Sequence, residues 1–97
     1  MDIKTSDIKS VKKYTNLNKS SVINQILNEN RNKCGVYLWT NNINNKTYVG
    51  SSVSLTKRFL KYFNEDALVK NRMLISFSLL KYKRENFTLD ILEYCSP

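Results

Sequence analysis

Two short apolar runs separated by a polar spacer constrain this chain more than any other stretch. Val36-Tyr37-Leu38-Trp39 and Thr47-Tyr48-Val49 are rich in β-branched and aromatic residues, which favour a pleated, half-buried surface. The intervening Asn41-Asn42-Ile43-Asn44-Asn45 favours a short connection, so the two runs predict an antiparallel hairpin. With the turn centred between Asn42 and Ile43, Tyr37 faces Tyr48, Trp39 faces Lys46 and Gly35 faces Gly50. Directly opposed residues share a sheet face because side chains alternate along a strand. The register therefore puts two phenols and a lysine on one surface. Arg58 joins them if the first turn of the following helix packs beside that surface.

The rest of the chain supplies helices and one more strand. Residues Met1 to Lys13 read as a frayed basic arm, and Val11 to Leu17 as a short edge strand. Ser20 or Ser21 can cap a helix with Val22, Ile23, Ile26 and Leu27 on one face, ending in the polar linker Asn28 to Lys33. Beyond the hairpin, Ser52 or Ser54 can cap a helix to about Phe63, whose stripe is Leu55, Phe59 and Tyr62 or Phe63. Glu65 to Lys70 reads as an irregular link. Asn71 to Tyr82 predicts a second helix, apolar through Met73, Leu74, Phe77 and Leu79 or Leu80, and Phe87 to Tyr94 a third strand.

A length of 97 residues bounds the chain to one domain with a small core, and 41% hydrophobic residues suffice for a globular fold. The net charge of +8 has two readings, a polyanionic partner or a lysine-rich solvated surface. Nucleic acid is favoured over membrane, since no long apolar span exists. The absence of histidine excludes zinc-finger and Ser-His-Asp readings. Cys34 and Cys95 have no metal-ligand spacing and read as two reduced cysteines, close together if their strands are antiparallel neighbours. No cleavable signal or targeting segment is seen at the N-terminus. Frequent Asn and Lys fit an A+T-rich genome such as an organelle's.

The hairpin resembles the GIY-YIG nuclease family. Gly35-Val36-Tyr37 stands where the family has its first tripeptide and Tyr48-Val49-Gly50 its second, followed by Gly50-Ser51-Ser52 and Leu55-x-x-Arg58-x-x-x-Tyr62. The tail Leu79 to Cys95 is similar to the end of the family's second core helix and its third strand. The lead-in Tyr14 to Lys33 looks like that of enzymes encoded in fungal mitochondrial introns.

The resemblance implies an α/β domain: a three-stranded antiparallel sheet of order 2-1-3, first strand central, flanked by helices. Residues 1–33 form an arm and a short helix, and 34–97 the nuclease-like core. It implies a DNA endonuclease of the intron-homing type, made inside a mitochondrion, acting on double-stranded DNA, with no membrane or protein partner. Tyr37 would be the general base or water-orienting phenol, with its pKa lowered by Lys46, Arg58 and a divalent cation, expected to be Mg²⁺. Tyr48 would hold the water or phosphate, and Arg58 would offer its planar fork to phosphate oxygens. Tyr62 stands where the family carries histidine or tyrosine. The nucleic-acid-binding set is Lys46, Ser51, Ser52, Lys57, Arg58 and Lys61. At Lys83 the family has glycine, suited to a left-handed helix end.

Without the resemblance, the same tyrosines read as strand packing, Gly35 and Gly50 as close-packing positions, and Ser51 and Ser52 as helix-capping residues. The family's metal-binding glutamate, on a helix after the third strand, has no match, and Glu93 is a poor substitute. The expectation is an incomplete catalytic domain that does not cleave DNA with Mg²⁺ by itself. The alternatives are a non-catalytic basic DNA- or RNA-binding module or relic reading frame that keeps the fold, and a repair-type nuclease, which the lead-in disfavours.

Overall fold

The computed structural model describes residues 10–70 and 73–95. Its elements in chain order are β1 (Lys12–Tyr14), α1 (Ser20–Glu29), β2 (Cys34–Asn41), β3 (Thr47–Ser52), α2 (Leu55–Tyr62), α3 (Glu65–Lys70), α4 (Leu74–Tyr82), a 3₁₀ turn (Arg84–Asn86) and β4 (Phe87–Cys95). The strands form one antiparallel sheet of order β1-β4-β2-β3. The predicted three strands keep their order, and the lead-in strand adds a fourth at the edge of β4. The fold is the α/β arrangement expected. The part of the arm at residues 1–9 and the proposed start of the second helix at Asn71 lie outside the described residues.

The hairpin differs in register. Tyr37 pairs with Gly50, and Trp39 pairs with Tyr48. The Asn run explains the difference. Asn41 N–H donates to the Lys46 carbonyl at 2.8 Å, leaving residues 42–45 as the loop, and Asn45 takes a φ of 63°, a conformation asparagine tolerates. The side-chain oxygens of Asn41 and Asn44 accept from the N–H groups of Ile43 and Lys46, fixing that loop. The turn centre thus moves by one residue and the register by two, which preserves every side chain's face.

One core lies on the face carrying Tyr37 and Trp39. It joins Phe87, Leu89 and Ile91 of β4 to Ile26 of α1, Leu55, Phe59 and Tyr62 of α2, Leu68 of α3 and Ile75 and Leu79 of α4. Trp39 makes edge-to-face contacts with Tyr62, Phe63 and Phe87 at centroid separations of 5.4, 6.2 and 6.1 Å, the arrangement aromatic quadrupoles favour. β4 carries a bulge opposite the Val36–Tyr37 step: Ile91 pairs with Tyr37 and Glu93 with Val36. The extra residue, Leu92, turns Tyr94 back to the core face.

Several local expectations are corrected. Glu65–Lys70 is helical, with Leu68 buried and acidic residues in its first turn. α4 buries Ile75, Ser76 and Leu79, while Met73, Leu74 and Phe77 face outward. No serine caps its helix through a side chain: Ser20 is the first helical residue of α1, and Ser54 at the start of α2 makes no side-chain cap bond. Asn30, expected in a linker, is fully buried. At Lys83 the expectation holds: with φ 70° and ψ 142°, the chain leaves α4 through a positive-φ residue that is not glycine.

Candidate active site

α2 lays Tyr62 and Arg58, one helical turn apart, against the centre of β2. The hydroxyls of Tyr37 and Tyr62 are 3.0 Å apart, and the Tyr37 ring stands edge-on to Phe59 at 5.3 Å. Beneath that ring lies Gly50, directly opposite Tyr37 in the ladder. A Cβ at position 50 would come within 2.5 Å of the Tyr37 oxygen and 2.6 Å of its Cζ, closer than such atoms ever sit. The glycine is therefore the bed on which the phenol rests, a packing role. Gly35 is equally constrained, since a Cβ there would strike the Glu93 backbone carbonyl.

Tyr37 is 2% exposed. Burial raises its pKa well above the usual phenol value, the hydrogen bond to Tyr62 raises it further, and the nearby Arg58 guanidinium offsets only part of this. The phenol thus keeps its proton through neutral pH, against the expectation of a cation-lowered pKa. Lys46 is not among the groups acting on it. It is exposed, beside the loop, two residues nearer the turn than expected.

Tyr48 shares the Tyr37 face but sits two residues, about 7 Å, nearer the turn. Its hydroxyl is bonded to Ser78 of α4 at 2.6 Å. Ser52 Oγ accepts from the Ser54 N–H at 3.0 Å and closes the turn into α2, while Ser51, opposite Val36, is exposed on the other face. Lys57 and Lys61 are exposed on α2, and Arg58 is half-buried. The structure brings Tyr37, Tyr62 and Arg58 together, places Tyr48 beside them, and leaves Lys46 and Ser51 apart. The close-packing role expected for Gly35 and Gly50 holds; that the partner of Gly50 is Tyr37 emerges only with the corrected register.

Residues 33–97 match the family model of the GIY-YIG catalytic domain. The chain belongs to the GIY-YIG family and carries a nuclease domain, whose substrate class is nucleic acid. No curated protein and no solved structure matches the chain.

Nucleases of this family use divalent metals, but the described residues do not fit one. No group of three or more His, Cys, Asp or Glu side chains could hold an ion among them. Glu93 pairs with Val36 and acts electrostatically on Cys95, so it lies on the face away from Tyr37, where it cannot serve the site as a ligand. Asp90 is buried on that same face, opposite Leu38, and burial raises its pKa. Cys34 and Cys95 pair directly across β2 and β4 as free thiols, with the Cys34 thiol donating to the Cys95 carbonyl at 2.7 Å.

Proposed function

We propose that this chain is the catalytic domain of a DNA endonuclease of the intron-homing type, encoded and made inside a mitochondrion. The observation that carries the nuclease reading is the convergence of Tyr37, Tyr62 and Arg58 within a segment that matches the family throughout. The organellar and homing subtype is supported by the lead-in Tyr14 to Lys33 and by the Asn- and Lys-rich composition.

In this reading Arg58 holds a phosphate of double-stranded DNA through two parallel N–H donors, a geometry lysine cannot supply. Tyr37 stays protonated and orients the attacking water by hydrogen bonding, with Tyr62 fixing the direction of its hydroxyl. Burial argues against Tyr37 as a base. Lys57 and Lys61 extend a basic surface along α2 that neutralises the backbone without reading bases. The described residues supply no cluster of carboxylates that could hold a metal ion for this chemistry.

That unfilled role favours a second reading, a basic nucleic-acid-binding module that does not cleave. A nicking assay on supercoiled plasmid with Mg²⁺, using the protein in its natural reading frame, separates the two. Wild type is expected to nick, and Tyr37→Phe and Arg58→Lys are expected to fall by about a thousandfold, some 4 kcal/mol of barrier. No nicking by wild type, or undiminished nicking by both variants, leaves the binding module.

A further inference from the structure

Beside the site, between the hairpin end of β3 and the outward face of α4, runs an open groove of about 370 Å³. Its described lining includes Lys46, Tyr48, Leu74, Phe77, Lys81 and Tyr82, and contains two lysines and no carboxylate. Phe77 is 53% exposed and Leu74 75% exposed, so the outward face of α4 offers apolar and aromatic surface to the groove. The Lys81 ammonium lies 5.2 Å from the centre of the Tyr82 ring, so cation and aromatic surface are already paired there.

We infer that this groove is a subsite for an unpaired nucleotide of the DNA strand entering the active site. Such a ligand combines what the lining offers: a flat π-face for Phe77 and a phosphate for Lys46 and Lys81. A regular duplex satisfies only the lysines, because its base faces are hidden in the stack. Phe77 has no polar atom with which to read a base edge, so the subsite accepts bases without discriminating among them. The bond from Tyr48 to Ser78 joins the groove to the site: the residue next to Phe77 on α4 is tied to a tyrosine on the Tyr37 face. The inference rests on the nuclease reading and adds to it a preference for locally opened DNA.

The test measures binding by fluorescence anisotropy on oligo-dT, a duplex of equal length, and a duplex carrying a short dT bulge. Wild type is expected to hold the oligo-dT and bulged forms more tightly than the plain duplex. Phe77→Ala should lose roughly tenfold on the first two and nothing on the duplex, as expected for one lost stacking contact. Phe77→Trp should restore binding. Exposure of Phe77 makes these variants safe for folding, and circular dichroism checks it. Lys81→Ala should weaken all three forms. Equal loss on every form in Phe77→Ala, or no loss, overturns the subsite, as does tighter binding of oligo-rU than of oligo-dT. So does binding to anionic vesicles that is lost in the same variant while DNA binding is unchanged. Arg58→Ala is expected to weaken all DNA forms together; if it does not while Phe77→Ala acts as expected, the nuclease-site reading fails and the groove stands.

Discussion

Two buried phenols in this domain are held in opposite ways. Tyr14, on the edge strand, donates to Glu29 at 2.8 Å and accepts from Asn30 at 3.2 Å, so both sides of its hydroxyl are used. Asn30 is itself held by the Ile26 carbonyl and by Tyr94, whose hydroxyl donates at 2.7 Å, and Lys12 bridges to Glu29. This cluster is a closed polar network that docks α1 on the sheet. Tyr37, at the centre, is paired with the Tyr62 hydroxyl and faces the Arg58 guanidinium, a donor, and in a bond between two hydroxyls one proton is left over. Among the described residues no acceptor takes it. A network with every position filled is fixed structure; the pair with a spare donor is the one available to a substrate.

The contrast is first broken at Gly50, where the expected effect is as large as any below. Gly50→Ala drives a methyl group into a ring packed against Phe59, and should cost about 2 kcal/mol of stability, the middle of the range for overpacking. Urea unfolding measures it; a cost near zero would mean that Tyr37 can leave its bed freely.

The two phenols should then separate under the same substitution. Tyr14→Phe removes a hydrogen bond to a carboxylate and is expected to cost about 2 kcal/mol, and Tyr37→Phe, which removes a neutral one, about 1 kcal/mol. The Tyr14 bond is also the main cause of Glu29's lowered pKa. A depressed carboxylate pKa gives stability that is present above the ordinary glutamate value and lost as pH falls through the native one. The gap between wild type and Tyr14→Phe should therefore be full at neutral pH and narrow in acid, whereas the Tyr37→Phe gap should stay level over that interval. Denaturant midpoints at neutral and acidic pH decide it.

The smallest effect is a gain. The positive-φ residues around the Tyr14 network are Asn16 and Asn32, which tolerate that conformation, but Lys83, which shares a cavity with Tyr62, does not. Lys83→Gly should stabilise the domain by about 1 kcal/mol, a rise of roughly 4–8 °C in Tm for a chain of this size. A lower Tm would show that the lysine side chain contributes more than its backbone costs.

Strand alternation made the faces of the hairpin legible before the fold was known, because a two-residue slip leaves them unchanged. Register was not legible, since the four asparagines on either side of Ile43 offer more than one turn centre, and asparagine side chains decide among them. α2 was readable from Leu55, Phe59 and Tyr62, which stand alone as apolar residues on one face. α4 was not, because Leu74, Ile75, Phe77, Leu79 and Leu80 surround the helix and periodicity cannot choose a side. The six residues of α3 carry only Leu68 in the core, too little for a pattern. Arg58 beside Tyr37 followed from the family's spacing. The direction of Tyr37's pKa did not, because it depends on how completely Phe59 and Tyr62 cover the ring.

The bulge in β4 ties two distant positions into one variable. Gly35 must lack a side chain because the Glu93 carbonyl presses on it, and that carbonyl stands where it does because Leu92 is an extra residue in the strand. Straightening β4 without shortening it would release Gly35 to vary, but would turn Tyr94 away from Asn30 and open the network around Tyr14. Changes at position 35 and changes in the length of β4 are therefore expected to arise together in divergent sequences. A substitution at either place alone meets a barrier that the other would remove.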